Sequence, residues 1–179
     1  MLHDLIVNQP VIETERFDLR PLRPSDAGLI EFFTADQRVA SATTSIPHPL
    51  PPGTTEAFIA RALSKERTED VWALDGTRSD GPEVMGVIGL ERVDLGQCEI
   101  GYWVAPAYWN SGVASAAVAA LIAANPLECR TIFATVFQDN PVSARVLTKC
   151  GFAYLGDAES FSVARGAKVP TWTYSLKMD

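Results

Sequence analysis

Residues 99–116 read EIGYWVAPAYWNSGVASA. Cys98 to Val104 has the composition of a strand, and a short connection then enters a helix whose first turn is small and uncharged. The first N–H groups of a helix have no partner within it, and the helix dipole adds positive potential at that end. Ser111, Gly112, Ala114 and Ser115 are small enough for a phosphate to approach those amides, with Gly112 allowing close backbone contact. This strand, loop and helix order points to an anion-binding helix start. Two familiar phosphate loops are excluded, because no GxxxxGK[ST] occurs and no GxGxxG follows a strand.

Working outward, the Ala-rich helix over 112–124 stops at Asn125-Pro126, and a strand is predicted over 131–137. The next segment, FQDNPVSARVLTKCGF at 137–152, predicts a helix over 141–149. Pro141 suits its first turn, Asn140 or Asp139 its N-cap, and Gly151 its C-terminal stop. Strands over about 152–163 and 171–177 close the chain around the turn-like 165–168. Upstream, the pattern predicts a strand over 17–22, a helix over 24–34, and a Pro-rich loop over 41–55. Thr54 or Thr55 then caps a helix carrying Ala57, Phe58, Ala60 and Leu63, and strands follow over 71–74, 84–92 and 98–104. The expected order is β α α β β β α β α β β, one mixed α/β domain over 1–179 with an antiparallel first half and βαβ connections in the second.

The 179 residues carry 15 Lys plus Arg against 22 Asp plus Glu, a net charge of −7. Residues 1–99 hold 9 basic and 17 acidic side chains, residues 100–127 hold none, and residues 128–179 hold 6 and 5. Without a basic cluster, nonspecific binding to nucleic acid or anionic membrane is not expected. The longest apolar stretch, Val113 to Ala124, is 12 residues, too short for a bilayer core of ~30 Å. Residues 1–9 lack the basic and apolar segments of a leader, so a cytoplasmic protein is expected. Cys98, Cys129 and Cys150 have no CxxC or Cys/His metal spacing and read as buried free thiols; no metal site is expected.

Several segments in order resemble one known family. IETERFDLRPLRPSD at 12–26, GVIGL at 86–90, EIGYW at 99–103, Tyr108-Trp109, and Asn140-Pro-x-Ser143 running to Cys150-Gly-Phe152 are similar to the GNAT superfamily of acyl-CoA-dependent N-acetyltransferases, in the RimJ/RimL-like (ribosomal-protein alanine acetyltransferase) branch. The resemblance spans nearly the whole chain. It implies the GNAT fold, with a central mixed sheet splayed at the cofactor site, and acetyl-CoA as cosubstrate. It also implies transfer of an acetyl group to a primary amine by direct attack through a tetrahedral intermediate. The acceptor is left open between a protein N-terminus and a small amine. A homodimer is compatible with the resemblance, and the rival reading is a noncatalytic acyl-CoA-binding or interaction module.

Carried over by position, the family's pyrophosphate loop falls on Trp109, Asn110, Ser111, Gly112, Val113 and Ala114, with Ser115 in the same helical turn. Asn110 and Ser111 stand where a glycine and a basic or Gln residue are usual, which leaves backbone amides as the main donors. Trp103, Val104 and Ala105 would present backbone groups to the pantetheine arm, and Asn140 and Ser143 would contact the cofactor, Ser143 near its sulfur as proton donor. Arg145 and Lys149 face either the nucleotide phosphate or water. The acceptor ammonium must lose a proton before attack, and Glu99 is the leading base, with Glu91 and Glu159 in reserve. Ser45, His48 and Trp72 are the candidate acceptor-side residues.

Overall fold

The computed structural model describes residues 9–179. Residues 1–8, on which the leader reading mostly rests, lie outside the described residues. The elements are β1 (Ile12–Glu13), β2 (Asp18–Pro21), α1 (Ala27–Thr34), α2 (Gln37–Ala40), α3 (Thr54–Ala62), β3 (Glu69–Asp75), β4 (Gly86–Asp94), β5 (Gln97–Val104), α4 (Val113–Ala124), β6 (Thr131–Phe137), α5 (Pro141–Lys149), β7 (Ala153–Ser162) and β8 (Ala167–Lys177). Compared with the expected order, β1 and α2 are additional, and β8 begins at Ala167. Both additions are too short for a periodic signal.

One eight-stranded sheet has the order β1-β2-β3-β4-β5-β6-β8-β7. Every neighbouring pair is antiparallel except β5 and β6. That parallel pair joins only Gln97, Cys98 and Glu99 to Thr131, Ile132 and Phe133. Beyond this point β5 stays paired with β4 through Val104, while β6 stays paired with β8 through Phe137. The sheet therefore splits into two wings that separate after Glu99. Cys98 and Cys129 form a disulfide at the closed end of the split, with Cα atoms 6.2 Å apart. This corrects the free-thiol expectation for those two residues; Cys150 is the free cysteine. Two cysteines 31 residues apart become neighbours only when β5 and β6 pair.

The two faces of the sheet carry different layers. Trp72, Leu74, Ile88, Leu90, Ile100 and Ile132 pack with Val118 and Leu121 of α4 and Leu147 of α5. On the other face, Val71, Ala73 and Val87 pack with Ile30 of α1 and Ile59 and Ala62 of α3. Strand alternation assigns each side chain to one layer or the other. The cap of α3 is Gly53, with φ 84°, and the Thr54 hydroxyl instead donates to the Pro51 carbonyl at 2.8 Å. At α5, Asn140 Oδ1 accepts from the Ser143 N–H at 3.4 Å, so Asn140 is the cap.

Arg20 ties the first helix to the sheet. Its guanidinium donates to both Asp26 oxygens at 3.0 and 2.8 Å and to Asp75 at 2.7 Å, and Asp26 is only 1% exposed. Asp26 Oδ2 also accepts from the Arg23 N–H at 2.8 Å. Removing one member leaves a buried charge without its partner. Asp26→Ala is expected to cost about 3 kcal/mol in urea unfolding at neutral pH. Arg38→Ala, which breaks the exposed pair with Asp36, is expected to cost under about 1 kcal/mol in the same measurement.

Candidate active site

The split between β5 and β6 opens the sheet from face to face. On the α4/α5 side lies a small cavity of about 40 Å³, lined by Ile100, Gly101, Tyr102, Thr135, Asn140 and Ser143 among others. On the α1/α3 side lies a cleft of about 810 Å³. The two share Ala42, Ile100, Gly101, Tyr102 and Thr135 as walls. Because the ladder ends at Glu99–Phe133, the edge of β5 from Ile100 to Val104 has backbone groups with no strand beside them. Such groups accept or donate to a ligand strand or amide arm.

At the far end of β5 the Trp109 indole N–H donates to the Val104 carbonyl at 2.7 Å, which fixes the loop against the strand. Asn110 and Gly112 both adopt left-handed backbone, with φ 59° and 82°. The Ser111 hydroxyl donates to the Tyr108 carbonyl and closes the loop. The first bond of α4 runs from the Ala116 N–H to the Gly112 carbonyl at 3.0 Å. The N–H groups of Val113, Ala114 and Ser115 thus have no helical partner and form an anion-binding start without any side-chain charge. These donors fit a pyrophosphate. The Arg16 guanidinium, absent from the sequence-based assignment, donates to the Ser111 carbonyl at 3.1 Å.

Inside the split, Ser143 Oγ and the Tyr102 hydroxyl lie 2.8 Å apart and share a hydrogen bond. Burial pushes the Tyr102 phenol up to about 12, against the opposing bond from Ser143, so it keeps its proton at neutral pH. Tyr102 was missed by sequence reasoning because it is a half-buried tyrosine in an apolar strand; only its place across the split from α5 gives it a partner.

The cleft contains three carboxylates in one row. Glu69 on β3 stands opposite Glu91 on β4, and Glu91 stands opposite Glu99 on β5. Directly paired residues project to the same face, so all three line the cleft, over a span of roughly 10 Å at about 4.8 Å per strand. Burial pushes the Glu69 carboxyl up to about 7; Glu91, Glu99 and Asp70 add to the rise, and Arg61 opposes it. Glu99 is raised by burial, with a Thr135 hydrogen bond opposing and Glu91 adding. Glu69 lies flat on the sheet, and a Cβ at Gly89 would come within 2.4 Å of its Oε2. Gly101, the pairing partner of Gly89, has open space above it. The cleft floor is thus bare backbone beside the acidic row.

The remaining assignments divide. Ser45 and Trp103 line the cleft, and the Trp103 ring meets Phe33 edge-on at 6.3 Å between centroids. His48 does not line the cleft. Trp72 is a correction: it is fully buried on the α4/α5 face, with its indole N–H donating to the Pro10 carbonyl at 2.9 Å, and cannot meet an acceptor. Both faces of β3 are buried from Asp70 to Leu74, which removed the alternation that would have revealed its direction. Glu159 is exposed on β7 and lies outside the cleft. Arg145 and Lys149 are exposed on α5. Among the described residues no group of three metal-ligating side chains occurs, and no helix is long and apolar enough to cross a membrane.

Comparison with known proteins agrees with this geometry. The chain is 27% identical over 172 residues to the Bacillus subtilis N-acetyltransferase YoaA, covering 93% of this chain and 96% of the relative. Its fold superposes on RimL, the ribosomal L7/L12 alpha-N-protein acetyltransferase solved with coenzyme A, with a TM-score of 0.81 at 16% identity, covering 95% of this chain and 99% of the other. It superposes on the Vibrio cholerae spermidine N-acetyltransferase, solved with CoA and spermine, with a TM-score of 0.77 at 15% identity, covering 92% and 96%. Residues 16–153 match the model of the acetyltransferase (GNAT) domain, and the chain belongs to that family of acetyltransferases.

Proposed function

We propose that this protein transfers an acetyl group from acetyl-CoA to a primary amine that reaches the enzyme as a cation. The observation that carries the reading is the row of Glu69, Glu91 and Glu99 lining a cleft that meets the split in the sheet. Carboxylates attract an ammonium group and also supply the base it needs. When bound, the cosubstrate supplies an acetyl group activated as a thioester. The loop 109–112 and the free amides of α4 hold its phosphates, with Asn140 and the open edge of β5 alongside its arm.

Glu99 is the base that takes the ammonium proton. It sits where the cleft meets the split, and burial raises its carboxyl above the ordinary value, which makes it a stronger base. Ser143, hydrogen-bonded to a Tyr102 that stays protonated, offers its hydroxyl proton to the departing sulfur. The bare floor at Gly101 admits the acceptor chain close to the strand. Both a protein N-terminus and a small amine fit these terms, as RimL and the spermidine enzyme illustrate among proteins of this fold.

Incubation with acetyl-CoA, a panel of peptides and small amines, and a thiol reagent is expected to show CoA release, faster with cationic amines than with neutral ones of equal size. CoA binding without turnover across the panel would favour a noncatalytic module instead. Glu99→Gln is expected to lower kcat about a hundredfold and to shift the alkaline rise of the rate; a profile superimposable on wild type would remove Glu99 from the mechanism. Ser143→Ala is expected to lower kcat about tenfold with little change in CoA affinity.

Glu69 gives a prediction of opposite sign for stability. Its folded pKa of about 7 lies above the ordinary carboxyl value of 4.5, so the folded state holds a proton that the unfolded state has released. Stability from this group therefore falls as pH rises from 4.5 to 7. Glu69→Gln is expected to raise stability on the order of 1–2 kcal/mol at pH 8 and to leave it unchanged near pH 4, as read from urea midpoints.

A further inference from the structure

The helix start that faces the phosphates has an electrostatic shortfall. No side chain from Ile100 to Leu127 is charged, and Asn110 and Ser111 occupy positions where a positive side chain would be local to the loop. Neutral amides at one helix end contribute about half an elementary charge, whereas a pyrophosphate carries about two negative charges. A cation from elsewhere in the chain would offset the difference.

Two guanidiniums approach the loop. Arg38 lies 5.7 Å from the Trp109 ring centroid, but Asp36 accepts two bonds from its side chain, at 3.1 and 2.7 Å, and compensates its charge. Arg16 is 95 residues from the loop in sequence, and its Nη2 donates to the Ser111 carbonyl at 3.1 Å. The same nitrogen would lie 3.4 Å from a Cβ placed on Gly112. One of the five guanidinium N–H donors is used on the carbonyl, and the side chain is otherwise exposed at the loop. Among the described residues, no carboxylate lies within ion-pairing distance of Arg16.

Its placement is rigid. Arg16 sits in the turn between β1 and β2, where the Thr14 hydroxyl donates to the Phe17 carbonyl at 2.8 Å and accepts from the N–H groups of Arg16 and Phe17 at 3.3 and 3.1 Å. Phe17 is fully buried. From the connection between β3 and β4, Arg78 donates to the Thr14 carbonyl at 2.6 Å and Ser79 donates to the Arg16 carbonyl at 2.8 Å. These five bonds, all from residues outside the phosphate loop, fix the backbone that carries this one cation. A planar, always-charged fork held in that way is suited to phosphate oxygens.

We infer that Arg16 is a cofactor-binding and positioning residue: it shapes the loop through the Ser111 carbonyl and directs its remaining donors and its charge to the pyrophosphate of acetyl-CoA. The inference rests on the reading of 109–115 as the phosphate site, and adds a ligand contact from the opposite end of the chain. It also accounts for a functional loop without a charge of its own.

The test is calorimetric titration of CoA into wild type, Arg16→Gln and Arg16→Lys, each at low and high salt, alongside turnover with acetyl-CoA and with acetylpantetheine, which lacks the pyrophosphate and nucleotide. Arg16→Gln is expected to weaken CoA about tenfold or more at low salt and to flatten the salt dependence, because the screened charge is gone. Arg16→Lys keeps the charge without the fork and is expected to recover part of the affinity. With acetylpantetheine, wild type and Arg16→Gln are expected to have equal kcat/KM. Equal losses with both donors, or unchanged CoA affinity and salt slope in Arg16→Gln, would overturn the assignment. Wild type that fails to bind CoA at all would overturn the phosphate-site reading along with it, and is told apart by the wild-type titration alone.

Discussion

The end of the parallel ladder at Glu99 and Phe133 is the constraint on which the rest of the molecule depends. A sheet that stays paired hides its backbone groups and separates its faces. Here two wings, each anchored by antiparallel pairing on its outer side, part after three paired positions. The parting exposes one edge of β5, joins the small cavity to the large cleft, and brings Tyr102 on one wing to Ser143 on the helix that follows the other. The closed end is correspondingly reinforced. Gly96 accepts from the N–H groups of Arg130 and Thr131 at 2.8 and 3.1 Å, and the Cys98–Cys129 disulfide crosses the same joint. Strand pairing that is firm at one end and absent at the other gives an opening whose width is set by covalent and hydrogen-bonded structure, not by mobile side chains.

What could be read from the sequence was the local part of this arrangement. The helix start at 112–116, its uncharged neighbourhood, the cap at Asn140 and the stop at Gly151 all follow from residue types within a few positions of one another. The fold class followed because strands and helices alternate with the right spacing. The contents of the cleft did not follow. Glu69 and Glu91 are 22 positions apart and Glu91 and Glu99 are 8 apart, and only the strand register makes them one row. Arg16 reaches the loop across most of the chain. Trp72 was misjudged for a related reason: a strand buried on both faces has no polar side to orient it.

The uneven charge acquires a physical sense from this geometry. The acidic first half places carboxylates on the α1/α3 side of the sheet, where a cationic acceptor would arrive. The uncharged stretch forms the opposite wall, where phosphates would meet amides, with a guanidinium brought in from the β1–β2 turn. Under the proposed function, the two partners of opposite sign would enter from opposite faces and meet at the split. Such separation would keep each charge near its complement.

The glycine beneath Glu69 has a consequence for how this sequence can change. Because the carboxylate occupies the volume that any side chain at position 89 would need, the two positions are a single steric unit spread over two strands. A larger residue at 89 would push the flexible end of Glu69 aside, and with it one end of the acidic row. Under the proposed function, a substitution at 89 would therefore reach the acceptor cleft through the Glu69 carboxylate.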